Sequence, residues 1–288
     1  MPSLNEEELK NILPKDGPTV EETKKYLDKY NDDFIVIKMG GSVLSNKDLF
    51  YSLIKDISIL KKLGLSIFLI HGGGSKISTK LDSLNIKSNF IDGLRVTNDK
   101  TIDVVENVLI EFNKDIVEAL KKESCDAEEV SSKKDNIITV ERESEVLGFV
   151  GKPTIIKTDI LFKIIKDKKI PVIASLGLNQ KNQTFNINAD SVAGAIAKEL
   201  KARRLLILSD VEGVLNKEKN LIPEINSDQA KQMILDNVIS GGMIPKIKNC
   251  LDVAKNGVKA VCIIDGRKNH SVLFELLSDK GSGTLIRK

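Results

Sequence analysis

Phe34-Ile35-Val36-Ile37-Lys38-Met39-Gly40-Gly41 is the stretch on which the fold turns. A short, unbroken apolar run rich in β-branched residues describes a strand covered on both faces, as in a parallel sheet. Downstream, Asp48–Leu63 reads as an amphipathic helix ended by Gly64, and Ser66–Ile70 repeats the buried-strand pattern. Helices follow at Ser75–Leu84 and Asp99–Lys122, then β segments at Ile137–Val140 and Pro153–Ile156 around a glycine-rich corner. Ile170–Ala174 is a strand, Leu176–Phe185 carries hairpin chemistry, Asp190–Leu200 is helical, and Leu205–Ser209 is another buried strand. Asp228–Asn237, Pro245–Asn256 and Ser271–Ser278 read as helices, with strand Ala260–Ile264 among them. Strands alternating with helices predict an α/β chain: a three-layer αβα sandwich around a mainly parallel sheet, in two lobes.

The 288 residues suit about two domains, with a lobe boundary near Lys201. We expect a helical arm over 1–30, an N-lobe over 31–201 and a C-lobe over 202–288. In the arm, Pro14–Pro18 separates two helical stretches, and Thr19 with Glu22 forms a capping box. Such an arm either serves as an interaction element or packs back on its own domain. A net charge of +3 and an aromatic content of 4% without Trp argue against nucleic-acid binding. Cys125, Cys250 and Cys262 are odd in number and lack C-x-x-C spacing, which predicts reduced core thiols and a cytoplasmic protein. With only His71 and His270 a histidine-rich metal site is excluded, and no apolar run is long enough to span a membrane.

Several strand ends carry chemistry. Lys38 followed by Gly40 and Gly41 offers a mobile cation and exposed amides suited to phosphate, although alone it reads rather as a strand-terminal turn with a surface lysine. His71-Gly72-Gly73-Gly74 follows the second strand in the same way and leads directly into a helix. It is neither a Walker A loop nor a dinucleotide fingerprint. Two such turns on neighbouring strands would converge on one crevice. Arg95, after the Gly93 turn, can grip a carboxylate through two hydrogen bonds or form a surface salt bridge. Asn186 and Asn188 project alike in an extended stretch, and Asp190 at a helix start is either its cap or an organiser of lysines. Asp210 ends the Leu205–Ser209 strand, where it can bond a ribose, organise a metal's water shell or simply close a turn. Lys246 sits in a first helical turn, after Gly241-Gly242, where a cation requires an anionic companion such as phosphate. Lysines at glycine turns, without a Ser/His/Asp set, are equipment for phosphoryl transfer by positioning and charge stabilisation.

The set Lys38–Gly41, His71–Gly74, Gly93–Thr97, Gly148–Gly151, Asn186–Asp190, Ser209–Gly213 and Ser240–Lys246 resembles the N-acetylglutamate kinases, which have the amino acid kinase fold. The motifs keep the family's order from about Phe34 to Ile286. Aspartokinase, carbamate kinase and uridylate kinase share the glycine turns but not the Leu-Arg-Val-Thr and Asn-x-Asn-Ala-Asp pair. The resemblance implies phosphorylation of the side-chain carboxylate of N-acetyl-L-glutamate by ATP, in arginine biosynthesis, with Mg²⁺ held mainly by nucleotide oxygens. By the same resemblance, Lys38 and Lys246 stabilise the transferring group and Asp190 holds both. Gly73, Gly74, Arg95 and Asn186 bind the acidic substrate. Gly40, Gly41, Asp210, Val211, Gly213, Leu215, Ile239 and Ser240 serve the nucleotide. His270, Glu275, Gly281 and Gly283 resemble the arginine site of feedback-inhibited members, with Glu275 on the effector's guanidinium. Such members join dimers into a hexameric ring through an N-terminal helix, and a PII-type regulator is a possible partner of such rings.

The chain departs from the family pattern at Met39, in Ile110–Asn113, in the Ser-Ser-Lys-Lys of Glu129–Asn136, and at Ser175. Those positions bear on subunit contacts and the shape of the substrate lid. A sister kinase acting on another acidic or carrier-linked substrate is the nearest alternative. A silent nucleotide or arginine sensor is the alternative of a different class.

Overall fold

A computed structural model describes residues 4–30 and 33–288. The first three residues of the expected arm and the 31–32 junction lie outside the described residues. Two short helices open the chain, α1 (Glu6–Ile12) and α2 (Val20–Leu27). Then come β1 (Phe34–Met39), α3 (Lys47–Lys62), β2 (Ser66–His71), α4 (Gly74–Ser83), the hairpin β3 (Phe90–Ile91) and β4 (Leu94–Arg95), and α5 (Asp99–Lys122). The middle runs β5 (Ala127–Val130), α6 (Ser132–Asp135), β6 (Ile138–Arg142), β7 (Val150–Ile156), α7 (Asp159–Lys166), β8 (Ile170–Ala174), β9 (Leu176–Leu178), β10 (Thr184–Ile187) and α8 (Ala189–Glu199). The last part holds β11 (Arg204–Ser209), β12 (Glu224–Ile225), α9 (Ser227–Leu235), α10 (Met243–Lys255), β13 (Ala260–Asp265), α11 (Ser271–Leu277) and β14 (Gly283–Ile286).

Eight strands form one sheet in the order β12-β14-β13-β11-β1-β2-β8-β5. Every pairing in it is parallel except β13 with β14. The continuous apolar runs follow from cover on both faces. Ile35, Ile37 and Met39 enter a core shared with α3, α5 and α11, whereas Val36 enters the opposite core with α8 and α10. β2 divides in the same way, Ile67 and Leu69 against Phe68 and Ile70. That alternation puts Lys38 on the Val36 face, where α8 packs. The sheet runs unbroken past Lys201, since β11 pairs directly with β1.

The glycine-rich corner is larger than the sequence suggests: β10, β7, β6 and β9 close into a small four-stranded barrel. The sequence reading also passes over α7, β5, the β3–β4 hairpin and a second capping box, Asn5 with Glu8. No helix among the described residues is long and apolar enough to cross a membrane.

The arm packs back on its own chain. Leu9 is buried in the α3/α5/α11 core, and Asp279 accepts from Lys25 Nζ and from Tyr26 Oη. Burying a leucine is worth far more than those exposed ion pairs. Leu9→Ala is therefore expected to lower unfolding free energy by roughly 2–5 kcal/mol in urea titrations. An unchanged midpoint would mean that the arm leaves the body in solution.

Candidate active site

Strand ends and helix starts from distant parts of the chain meet at a cavity of about 550 Å³. Lys38 comes from the end of β1, and its Nζ lies 2.9 Å from Asp190 Oδ1 at the start of α8. Lys246, in the first turn of α10, reaches Asp190 Oδ2 at 2.6 Å. Burial alone would raise the Asp190 carboxyl, but the two ammonium groups outweigh it and hold the group well below the usual carboxylate range. The anion that offsets Lys246 near its helix start is thus Asp190, where the sequence pointed to phosphate. Asp190 is not the helix cap either. Asn188 caps α8, accepting from the Asp190 N–H at 2.8 Å and from the Ser191 N–H at 3.3 Å. That division of labour leaves both carboxylate oxygens for the lysines. Asn249, three residues along α10 from Lys246, donates to the Asp190 carbonyl at 3.0 Å and ties the two helices together.

The turn after β1 is crowded by charged side chains. A Cβ on Gly40 would strike the Lys38 ammonium, and one on Gly41, whose φ is +64°, would strike the Asp210 carboxylate. Gly72, Gly73 and Gly74 line the same cavity at the end of β2, where α4 begins. Helix starts at α4 and α8 therefore border one space, a setting that favours anions.

Arg95 lies in β4 and is 6% exposed. Its guanidinium donates to Ser88 Oγ at 2.6 Å, Ser78 Oγ at 2.8 Å and the Gly74 carbonyl at 2.9 Å. Phe90 stacks against it, 4.6 Å from ring centroid to guanidinium carbon. Among the described residues Arg95 forms no salt bridge, so its positive charge faces the cavity without a carboxylate partner. Thr97 Oγ1 donates to the Arg95 carbonyl at 2.9 Å and accepts from Asn186 Nδ2 at 3.3 Å, which links Arg95 to Asn186 across the pocket. Ser78, Ser88, Phe90 and Asn249 escaped sequence reading, and Asn188, read there only as projecting alongside Asn186, is the α8 cap.

The nucleotide set divides. Gly40, Gly41 and Asp210 line the cavity, whereas Val211, Gly213, Leu215, Ile239 and Ser240 do not. Ile239 is a core side chain, and Gly213 is packed against Thr284 and Leu221.

The effector set divides too. Glu275, Gly281 and Gly283 line a second cavity of about 470 Å³ between the arm and the C-terminal segment. His270 does not line it: its Nδ1 lies 2.6 Å from the buried Asp56 and its Nε2 lies 3.2 Å from Asp16. Glu275 already has a guanidinium partner, because Arg204 Nη2 donates to Oε1 at 3.4 Å and to the Glu275 carbonyl at 3.2 Å. Its carboxylate also accepts from Cys262 Sγ at 3.0 Å and from the Ser282 N–H at 2.9 Å.

The Asp190 cluster makes a signed prediction. A carboxyl whose folded pKa is depressed contributes stability that is complete above its unfolded pKa, about 4, and lost as pH falls through the folded value. The difference in unfolding free energy between the parent and Asp190→Asn should be flat from about pH 8 to 5 and shrink below about pH 4. A gap that changes near neutrality would put another group in control.

A family model described as the amino acid kinase family matches residues 33–265. Curated relatives named acetylglutamate kinase include one from Pelagibacter ubique, 68% identical over the full length of both chains. Another, from Rhodospirillum rubrum, is 42% identical over 93% of this chain and 91% of its own. Among solved structures, N-acetylglutamate synthase from Neisseria gonorrhoeae, complexed with coenzyme A and N-acetyl-glutamate, superposes with a TM-score of 0.84 at 22% identity. That match covers 93% of this chain but only 62% of the synthase. Carbamate kinase from Giardia lamblia bound to AMP-PNP gives a TM-score of 0.65 at 16% identity, over 89% and 98% of the two chains. These structural likenesses show the fold, and the sequence relatives place the chain within it. The protein belongs to the amino acid kinase family and, inside that family, to the acetylglutamate kinases.

Proposed function

We propose that this protein transfers the γ-phosphoryl group of ATP to the side-chain carboxylate of N-acetyl-L-glutamate, giving the acyl phosphate and ADP. The observation that carries this reading is the meeting of Lys38 and Lys246 on Asp190, beside a cavity lined by Arg95, which has no carboxylate partner among the described residues. A carboxylate is already ionised at neutral pH, so the nucleophile needs no general base. Its oxygen attacks the γ-phosphorus in line. The bond from that phosphorus to the bridging oxygen breaks, and the electron pair leaves with ADP. The obstacle is repulsion between an anionic nucleophile and a triphosphate. Cations fixed in a partly dehydrated site lower that barrier because they need not reorganise as charge moves. Lys38 and Lys246 take this role, Asp190 positions them, and the Gly40, Gly41, Gly73 and Gly74 backbone borders the transferring group. Arg95 and Asn186 hold the substrate's α-carboxylate.

The donor set also suits Mg²⁺ held chiefly by the nucleotide. Among the described residues no group of three or more His, Cys, Asp or Glu is arranged to hold a metal ion, and Asp190 is occupied by lysines, which leaves Asp210 as the cavity's other carboxylate. Bound through phosphate oxygens and water, the ion would neutralise charge on the triphosphate. Kinetics on three variants test the assignment. Lys38→Ala and Lys246→Ala should each lower kcat at least ~100-fold, the loss typical of a fixed charge stabiliser. Arg95→Ala should raise KM for acetylglutamate and leave KM for ATP unchanged. Near-parent turnover in either lysine variant, or an unaltered acetylglutamate KM in the third, removes that residue from its role.

Regulation by arginine belongs to the same reading, with residues 1–30 as the arm, 31–201 as the acidic-substrate lobe and 202–288 as the nucleotide and effector lobe of a cytoplasmic enzyme. Its support is the cavity between arm and C-terminal segment, where Glu275 meets the Gly281–Gly283 backbone. An arriving guanidinium would share Glu275 with Arg204. Arms joining dimers into a ring would also give a PII-type protein a surface to bind. Millimolar arginine should inhibit, and light scattering should find a hexamer. A monodisperse dimer indifferent to arginine overturns this regulatory proposal alone.

A further inference from the structure

His71 ends β2 and is fully buried, outside the cavity wall that its neighbours Gly72–Gly74 form. Its Nδ1 lies 3.0 Å from the Gly72 carbonyl oxygen, and its Nε2 lies 3.1 Å from Asn113 Nδ2 of α5. The same Nδ2 donates to the Val172 carbonyl of β8 at 3.0 Å. That bond fixes which way the Asn113 amide faces, since a reversed amide would set Oδ1 against the Val172 oxygen. Nδ2 is therefore the donor toward the ring, Nε2 must accept, and the ring proton resides on Nδ1, from which it is donated to Gly72. The Phe112 ring meets the imidazole edge-on, with centroids 5.3 Å apart, and holds its plane. Asn113 Oδ1 is buried without a hydrogen-bond partner among the described residues, a cost that packing alone does not explain. Burial lowers the His71 pKa to about 4, so the ring is neutral at pH 7.

A peptide unit is planar and trans, so its carbonyl and its N–H point in opposite directions. Holding the Gly72 oxygen against His71 turns the Gly73 N–H away from the ring, and Gly73 is one of the residues that line the cavity. Arg95 restrains the next carbonyl but one in the same manner, by its 2.9 Å bond to the Gly74 oxygen. We propose that His71, locked in its Nδ1–H tautomer by Asn113, is a positioning residue that aims the Gly73 amide at the negative charge developing during transfer. The proposal rests on the kinase reading and adds to it a device outside the pocket. His71 touches no substrate and acts only through the backbone.

Two substitutions separate this role from simple packing. His71→Asn keeps an N–H donor near the Nδ1 position, whereas His71→Gln carries its amide toward Nε2 and leaves the Gly72 oxygen without a donor. The kcat of His71→Asn should exceed that of His71→Gln by at least ~10-fold, with KM for ATP within ~2-fold between them, since only the aim of one donor differs. Equal kcat in two folded variants overturns the proposal. If either variant does not fold, the parent protein decides. It has only two histidines, so ¹⁵N-histidine NMR with His270→Gln for assignment resolves the His71 ring. A proton on Nδ1 with an accepting Nε2 supports the proposal, and a proton on Nε2 overturns it. Failure of the parent to release ADP with acetylglutamate would instead defeat the kinase reading, and the tautomer result would stand apart from it.

Discussion

The site depends on one carboxylate placed between two ammonium groups. Lys38 and Lys246 come from opposite ends of the chain and would repel each other if brought together alone. At an effective dielectric near 20, two unit charges about 4 Å apart interact by about 4 kcal/mol, comparable to a sizeable part of a domain's stability. Asp190 turns that repulsion into two attractions at 2.9 and 2.6 Å. Its own charge is secured by the same contacts, against a burial that would otherwise favour the neutral acid. The arrangement is reciprocal: neither lysine could be held there without Asp190, and Asp190 would not stay ionised in that enclosure without the lysines. Fixing α8 against β1 and α10 is therefore a catalytic requirement as well as a matter of packing.

Much of this was legible in the chain itself. The run Phe34–Ile37 announced a strand with two covered faces, and the split of its residues between two cores is the physical reason it could be read. The Asp99–Lys122 boundaries emerged because Asn98 caps one end and charged residues bracket a regular apolar stripe. Other features depend on partners far away in sequence and left no local trace. The four-stranded barrel is set by pairings between β6, β7, β9 and β10, each too short to declare itself. Whether Asp190 caps its helix or receives lysines is undecidable from its neighbours, since Asn188 competes for the cap and takes it by accepting from the Asp190 and Ser191 N–H groups. The arm offered two readings because a helix with a single deeply buried leucine resembles a solvated one in composition.

The second cavity shows how a motif can be right in kind and incomplete in detail. Glu275, Gly281 and Gly283 gather as a unit because α11 runs straight into the turn before β14. His270 belongs to the same stretch of sequence, but it stands in the left-handed region at the start of α11, with φ +54°, and turns toward Asp56. Asp56 is itself buried and has its pKa raised to about 6, chiefly by burial, with His270 opposing the shift. His270 thereby joins α3, the α1–α2 connection through Asp16, and α11, which makes it part of the arm's seat.

Charge in the principal cavity is unbalanced toward the positive. Lys38 and Arg95 line it with the amide ends of α4 and α8, Lys246 adjoins it through Asp190, and the carboxylates of Asp190 and Asp210 offset two of these three cations. Such a site is in its least favourable electrostatic state when it stands alone, and a polyanion relieves it. ATP and an acidic amino acid repel one another in water, yet each is attracted to the same cationic enclosure. The energy that draws them together is thus built into the folded protein before either arrives. It is set by the parity of β1, which directs Lys38 toward α8, and by glycine turns that keep the lysine ammonium and the Asp210 carboxylate free of side-chain collisions.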